Sequence, residues 1–194
     1  MNDLLVVLDI ETTGLNPRKD VILEIGVLIA NLSFEPIAHR EILLKSYVDW
    51  SSVDEKVLNM HNTRHPNDGY PYGLIEDSLK ARAAERTLNE EQAANRLIGF
   101  LEAHGVVGKE TYMMGSTIGF DRGFLDAHVP ELNDWFHYRS IDVSSHQATI
   151  EMYWPESALE NKPSDRKIHR AYPDCVDTLA KYAWAVATMK GGTL

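Results

Sequence analysis

The segment LLVVLDIETTG, residues 4–14, decides how the rest of this chain is interpreted. Its apolar run predicts a buried strand, and the strand ends in two carboxylates, Asp9 and Glu11. Side chains alternate along a strand, so residues i and i+2 share a face and lie roughly 7 Å apart along the backbone. Like charges this close repel each other unless a cation lies between them. The segment therefore points to a divalent metal and to metal-assisted chemistry.

Composition limits the class of protein. The chain has 194 residues, of which 44% are hydrophobic, and this suits one domain with a core. We expect a single domain over residues 1–194, because no linker, repeat or low-complexity stretch divides it. With no apolar run of about 18 residues and no apolar leader, the chain is predicted to be cytoplasmic and to make no membrane contact. The single cysteine, Cys175, excludes an internal disulfide and a cysteine-based zinc site.

The charge balance is acidic, with 19 basic against 29 acidic residues and a formal net charge of −10. Such a balance argues against a protein that holds long duplexes by charge alone. It does not exclude a nucleolytic site, because bound cations locally invert the charge of an acidic metal site.

The hydrophobic pattern predicts an α/β fold. Three apolar strands with short connections form an antiparallel meander over Leu4–Ile10, Val21–Ala30 and Ile37–Ser46. Short strands and helices then alternate, which indicates a mixed sheet that continues with parallel strands and is flanked by helices. The later strands are predicted at Thr111–Met114 and Ser140–Val143, a loop at Gly69–Gly73, and helices at Asp54–Met60, Ile75–Arg86, Asn89–His104, Phe120–His128, Ser144–Tyr153 and Tyr172–Met189.

Three later residues complete a candidate site. Asp121 follows a strand and lies in the first turn of a helix, while His169 and Asp174 belong to H-R-A-Y-P-D, a loop that leads into the last helix. Pro173 suits a first helical turn, so Asp174 is placed where the helix dipole favours its charge. Four carboxylates and a histidine suit phosphodiester hydrolysis, in which two cations about 3.5–4 Å apart bind the phosphate and a histidine takes the proton of the attacking water.

The order D-x-E, then I-G-x-D, then H-x4-D resembles the DEDDh exonucleases of the ribonuclease H-like superfamily, and among them the oligoribonucleases. The stretch IGFDRGFLDAHVPELNDWFHYRSIDVSS, residues 118–145, carries the closest likeness. The resemblance covers roughly residues 4–31 and 111–185. It is weak over about 45–105, which is predicted to be diverged or inserted, and it assigns no role to residues 69–88.

The resemblance implies a 3′-to-5′ exonuclease that releases 5′ mononucleotides from short single-stranded RNA, down to two residues. It makes His169 the general base and implies a two-metal site with Mg²⁺ or Mn²⁺. The metal carboxylates that it implies are Asp9, Glu11, Asp121 and Asp174.

The resemblance also implies contacts to the substrate. Leu15 matches a leucine that wedges between bases, and His65 matches a histidine near the stacking position. Tyr138 and Arg139 correspond to residues that reach the site of a partner subunit, which implies a homodimer. The polar cap on the terminal phosphate would consist of Thr117, Arg139, Ser144 and Ser145. Departures from the family pattern at Met60, Ser116 and Ser140 concern base stacking and the preference for dinucleotides, and they leave the metal chemistry untouched.

Several alternatives stay open at this point. Asp177 competes with Asp174 as the fourth ligand, Asp142 is a candidate supporting residue, and Ser144 and Ser145 would also suit a helix N-cap. The aromatic residues Tyr70, Tyr72, Trp135, Phe136 and Trp154 would serve as partly buried, core or dimer contacts rather than as a base platform. The alternative functions are an exonuclease on DNA 3′ ends, a non-catalytic nucleic-acid-binding module and a phosphomonoesterase.

Overall fold

The computed structural model describes residues 3–191, which contain a mixed five-stranded sheet in the order β3-β2-β1-β4-β5. The strands β1 to β3 are antiparallel neighbours, whereas β4 runs parallel to both β1 and β5. The predicted α/β class and mixed sheet are confirmed. The strands are β1 (Leu4–Thr12), β2 (Ile22–Asn31), β3 (Pro36–Leu43), β4 (Met113–Gly115) and β5 (Ser140–Asp142).

Seven α-helices flank the sheet within the described residues. They are α1 (Glu55–Asn62), α2 (Leu74–Ala83), α3 (Glu90–Ala103), α4 (Gly119–His128), α5 (Pro130–Trp135), α6 (Val143–Tyr153) and α7 (Ala171–Met189). Helix α3 begins with a capping box, in which the Asn89 side chain accepts from the Gln92 backbone N–H and the Gln92 side chain accepts in return. None of the helices in residues 3–191 is both long enough and apolar enough to cross a lipid bilayer.

Strand β1 is apolar because it is buried on both faces. Val6 and Leu8 point to one face and pack with residues of α3, α4 and α5. Val7 points to the other face and packs with Cys175 and Leu179 of α7. Strand β1 is the central strand of the sheet, and its carboxyl end, which carries Asp9 and Glu11, extends beyond the residues paired with β4 and stays paired with β2.

The start of α7 lies unusually close to β2. A Cβ atom at Gly26 would be 2.7 Å from the Ala171 Cβ and 2.8 Å from the Ala171 backbone carbon, so only glycine allows this approach. Gly26 is the cross-strand partner of Asp9. The close approach therefore brings the first turn of α7, with Asp174, next to the acidic end of β1.

Some boundaries differ from the sequence prediction. The predicted helix over 75–86 ends at Ala83, because Glu85 adopts a left-handed backbone with φ of 56° and the Arg86 N–H returns to the Ala81 carbonyl. The third strand ends at Leu43 rather than Ser46, because the chain at Leu44 and Lys45 pairs with Leu88 instead of β2 alone. Helix α5 was not predicted at all. The other predicted elements are displaced by one or two residues at their ends.

Candidate metal centre and substrate cleft

Three carboxylates meet at the carboxyl end of β1. Asp9 and Glu11 lie on the face of the sheet that α7 covers, and Asp174 lies in the first turn of α7 as predicted. Each offers an oxygen atom, and these atoms all lie within 4.8 Å of one another. Convergent carboxylate oxygens are the ligands that Mg²⁺ and Mn²⁺ prefer, so the residues present fit a divalent metal.

Asp121 stands beside this group in the first turn of α4. Its Oδ1 accepts a hydrogen bond of 3.1 Å from the Ile10 backbone N–H, between the two acids of β1. The bond fixes the start of α4 against the end of β1. The structure therefore brings together all four predicted carboxylates, three as a close cluster and the fourth on the adjoining helix.

The electrostatics of the cluster favour a bound cation. Burial raises the pKa of Asp9 and Glu11 well above the ordinary values, and the neighbouring carboxylates raise it further. Burial first, and then Asp177 and Asp165, raise the pKa of Asp174 to about 7. Burial likewise raises the pKa of Asp121 to about 7, although backbone hydrogen bonds oppose the rise. When these carboxylates are all ionised in a buried site they repel one another strongly. A bound divalent cation would neutralise that repulsion.

His169 lies in the loop before α7, as predicted, with a left-handed backbone at φ of 54°. Burial, followed by the nearby His65 and Lys167, lowers the pKa of the imidazole. A lowered pKa keeps the imidazole neutral at physiological pH, and only the neutral form can accept a proton. His65 carries a buried Nε2 for which the described residues show no hydrogen-bond partner.

His61 is a residue of this site that the sequence analysis missed. It is 1% exposed, and its Nε2 lies 2.9 Å from the Thr12 carbonyl oxygen, which can only accept a hydrogen bond. Its Nδ1 lies 3.8 Å from Glu11 Oε2 and has no hydrogen-bond partner among residues 3–191. His61 therefore links α1 to the end of β1 and packs against a candidate ligand. No spacing in the sequence signals this contact.

A buried ion pair lies next to the candidate metal centre, and the sequence did not predict it. Glu24 is the cross-strand partner of Glu11, and Arg170 donates to both its oxygens, with Nε–Oε2 at 3.0 Å and Nη2–Oε1 at 2.7 Å. The Ala171 backbone N–H donates to the same carboxylate at 3.0 Å. Arg170 also donates to Asp77 of α2 at 3.1 Å. The pair therefore holds the junction between the loop of His169 and the start of α7 against the sheet.

Asp177, the alternative fourth ligand, is engaged elsewhere. Its two oxygens accept from Arg166, at 2.6 Å from the Nε and at 2.9 Å from the backbone N–H. Asp174 is the member of this pair that joins the acidic cluster.

The predicted polar cap collects around Asp142. This carboxylate is the N-cap of α6 and accepts from the Ser144 N–H at 3.1 Å, so the N-cap is not one of the two serines. It also accepts from the Thr117 N–H at 2.9 Å and the Ser145 hydroxyl at 2.8 Å. The Thr117 and Ser144 hydroxyl oxygens are 3.1 Å apart. The structure thus brings three of the four predicted cap residues together.

The remaining predicted substrate residues project from the surface. Leu15 is 83% exposed and Tyr138 is 76% exposed. Arg139 is also exposed and lies over the ring of Tyr138, with its guanidinium carbon 5.4 Å from the ring centroid. Among the described residues of one chain, neither the Tyr138 hydroxyl nor the Arg139 guanidinium is hydrogen-bonded to the acidic cluster.

The aromatic residues with open roles have structural contacts. The Tyr70 hydroxyl donates to Glu41 at 2.7 Å, and its ring lies 4.3 Å from the Arg170 guanidinium carbon. The Lys80 ammonium lies 3.2 Å from the ring centroid of Tyr72. Phe136 is 1% exposed in the core. Trp135 and Trp154 pack, partly buried, against two of the apolar clusters.

Comparisons with solved structures identify proteins that share this fold. Solved structures of exonuclease I share the fold: an Escherichia coli exonuclease I bound to a dT13 oligonucleotide gives a TM-score of 0.67 at 16% identity over 94% of this chain. The Methylocaldum szegediense exonuclease I gives 0.63 at 22% identity over 98%. This chain spans only 40% and 41% of those two chains. The fold of this chain is therefore the one seen in the exonuclease I structures.

Curated relatives define the family more narrowly. An oligoribonuclease of Pseudoalteromonas atlantica is 34% identical over 91% of this chain and 90% of its own length. That of Baumannia cicadellinicola is 35% identical over 93% and 90%, and that of Bordetella pertussis 33% over 90% and 89%. No family model matches the chain. The chain belongs to the oligoribonuclease family.

Proposed function

We propose that this protein is a metal-dependent 3′-to-5′ exonuclease that removes 5′ mononucleotides from short single-stranded RNA. The observation that carries the proposal is the convergence of Asp9, Glu11 and Asp174 within 4.8 Å, with Asp121 bonded to the strand between the first two. The relatives named oligoribonuclease support RNA as the substrate.

Each residue of the cluster is assigned a task. Asp9 would bridge two Mg²⁺ or Mn²⁺ ions, Glu11 and Asp174 would each hold one, and Asp121 would assist through a metal or a bound water. Bound cations of this kind lower the pKa of a coordinated water and stabilise the charge on the leaving 3′ oxygen. His169 would take the proton of the attacking water at a ring nitrogen, and its lowered pKa keeps that nitrogen free at neutral pH.

The polar cap would hold the end of the substrate. Asp142 holds Thr117 and Ser144 through their backbone N–H groups and Ser145 through its hydroxyl, so the three side chains form one small polar surface. A surface of this kind suits the oxygens of a terminal phosphate. Leu15 would wedge between bases from its exposed position, and His65 would contact the substrate beside His169.

We also propose that the protein acts as a homodimer in which Tyr138 and Arg139 complete the site of the partner subunit. Their exposure and their projection from the chain support this arrangement. A complementation assay tests it, since mixing inactive Asp9→Ala protein with inactive Arg139→Ala protein should restore activity in one of the two sites of a mixed dimer. Monomers by light scattering, or no restored activity, would contradict the dimer. A cytoplasmic location stays a prediction.

The main test is a product ladder from 5′-labelled RNA. With Mg²⁺ or Mn²⁺ the wild-type protein should shorten the strand from its 3′ end, and a chelator should stop the reaction. Asp9→Ala and Asp174→Ala should abolish cleavage while circular dichroism shows an intact fold, whereas Asp126→Ala, which alters an exposed acid on α4, should retain it. Cleavage that persists in metal-free Asp9→Ala protein would refute the assignment.

Three measurements, of digestion rate, of RNA binding and of phosphate release, separate the alternative functions. Faster digestion of a long single-stranded DNA than of a two-residue RNA would favour the DNA exonuclease. Binding of RNA with metal and without any product would favour the non-catalytic module. Release of inorganic phosphate from a 3′- or 5′-phosphorylated oligomer, with the chain length unchanged, would favour the phosphomonoesterase.

A further inference from the structure

A groove beside the edge strand β3 gathers three arginines from three different elements. Arg40 lies on β3, Arg86 follows α2 and Arg96 lies on α3, and all three are exposed. Throughout residues 3–191, none of the three forms an ion pair, whereas Arg64, Arg166 and Arg170 all do. Three cations that line one cavity without an acidic partner in a chain of net charge −10 would be stabilised by a bound anion. We call this surface the arginine groove.

The arginine groove has the size of a ligand site. Two adjoining cavities of about 340 Å³ and 620 Å³ share Arg40, Leu88 and Arg96. Ligand pockets in proteins commonly range from about 300 to 1,000 Å³. On the α3 side, a Cβ atom built at Gly99 would meet nothing within 4 Å, so the helix leaves the cavity open there.

Glu24 and Glu41 line the smaller cavity together with the three arginines and Arg170, so four guanidinium groups there outnumber two carboxylates. Glu24 accepts from Arg170 and from the Ala171 N–H, and Glu41 accepts from the Tyr70 hydroxyl. Arg96 has no acid three or four residues away along α3, where helical neighbours meet, because those positions hold Gln92, Ala93, Gly99 and Phe100. The positive charge of the groove therefore remains available to a ligand.

The larger cavity is also lined by two rings, the buried Phe100 and the exposed His104. The Arg40 guanidinium carbon lies 5.1 Å from the centroid of the Phe100 ring, which in turn lies 4.5 Å from the His104 ring. The side-chain amides of Gln92 and Asn95 line the same cavity. Guanidinium groups bind phosphate oxygens with good geometry, while rings and amides suit a planar heterocycle with hydrogen-bonding edges.

We propose that the arginine groove is a second ligand site, separate from the acidic cluster, and that it binds a phosphate monoester of the nucleotide class. Arg40 and Glu41 are consecutive on the edge strand β3 and both line the smaller cavity, Glu41 from the face of α7, so the groove wraps around the edge of the sheet. Neither cavity is lined by a residue of the acidic cluster or by Asp121. The assignment of a phosphate group to the ligand is based on the three arginines alone. The choice of a nucleoside 5′-monophosphate also rests on the proposed function, because that is the expected product.

Equilibrium dialysis of radiolabelled AMP in the presence of a chelator tests the proposal. Without metal the acidic cluster repels phosphate, so binding then reports on other sites. We expect saturable binding of AMP and competition by inorganic phosphate. Adenosine should compete at least about tenfold more weakly than inorganic phosphate. The double variant Arg40→Gln, Arg96→Gln should raise the dissociation constant about tenfold or more, because two charge-assisted contacts are lost. Arg18→Gln, which removes an exposed arginine outside the groove, should leave it unchanged.

Three results would overturn the proposal. The first is the absence of saturable AMP binding to the wild-type protein, and the second is equal affinity in the double variant and in Arg18→Gln. The third is a loss of AMP binding in Asp9→Ala equal to that in the double variant, which would place AMP at the acidic cluster, whereas we expect Asp9→Ala to bind AMP as the wild type does. The cleavage assay is run separately, so the failure of the exonuclease function and the failure of this site give different results.

Discussion

Replacing Arg170 by glutamine should strongly destabilise the protein. The side chains of Arg170 and Glu24 are only 6% and 1% exposed, so the variant leaves a carboxylate buried without its cation. Removing one partner of a buried ion pair costs about 3–5 kcal/mol of unfolding free energy. For a protein of this length, about 2–4 °C of melting temperature accompanies each kcal/mol, so the melting point should fall by about 6–20 °C.

Urea unfolding and thermal melts of matched variants measure this effect. The double variant Glu24→Gln, Arg170→Gln should recover much of the loss, because it buries two neutral amides instead of one unpaired charge. Lys162→Gln breaks the more exposed pair with Glu151 and should cost no more than about 1 kcal/mol. If Arg170→Gln costs as little as Lys162→Gln, or if the double variant is the less stable one, the buried pair does not have the role argued for it.

Three further predictions concern the metal site and its supports. Gly26→Val should force the start of α7 away from β2 and lower kcat about a hundredfold or more, whereas Gly123→Ala, which meets nothing within 4 Å, should keep full activity in the same assay. Because the folded-state pKa of Asp121 and Asp174 is raised to about 7 from 3.8, the stability that these groups give the metal-free protein is complete below about pH 4 and is lost as the pH rises to about 7. Mg²⁺ should accordingly raise the melting temperature more at about pH 8 than at about pH 5, and an equal rise at both pH values would contradict this. His61→Phe removes the bond to the Thr12 carbonyl and should lower the unfolding free energy by about 1–3 kcal/mol in urea titrations, and a neutral result would show that the bond contributes nothing.

The sequence predicted the parts of the site that obey local rules. Alternation along a strand places Asp9 and Glu11 on one face, and proline in a first helical turn places Asp174 at the start of α7. Asp121 joins the candidate site because it follows a strand and lies in the first turn of a helix, and the resemblance then supports its place beside these acids. In the structure three of these carboxylates form one cluster, and Asp121 accepts a hydrogen bond from the strand that carries two of them.

The sequence could not predict the supporting contacts, because they join positions that are distant along the chain. Glu24 and Arg170 are separated by 146 residues, and a glutamate inside an apolar strand carries no sign of its partner. His61 lies on a short helix, where one buried face cannot be distinguished by periodicity. Helix α5 has only six residues, which is less than two turns and too short for a periodic pattern.

The contact between Asp77 and Arg170 gives helix α2 an influence beyond its own position. This helix belongs to the part of the chain where likeness to the family is weakest, yet it is hydrogen-bonded to the residue that directly follows the predicted base, His169. Substitutions in α2 could therefore adjust how firmly that imidazole is held without altering any residue of the acidic cluster. Substitutions in α2 would then change the turnover rate while the residues of the acidic cluster stay the same.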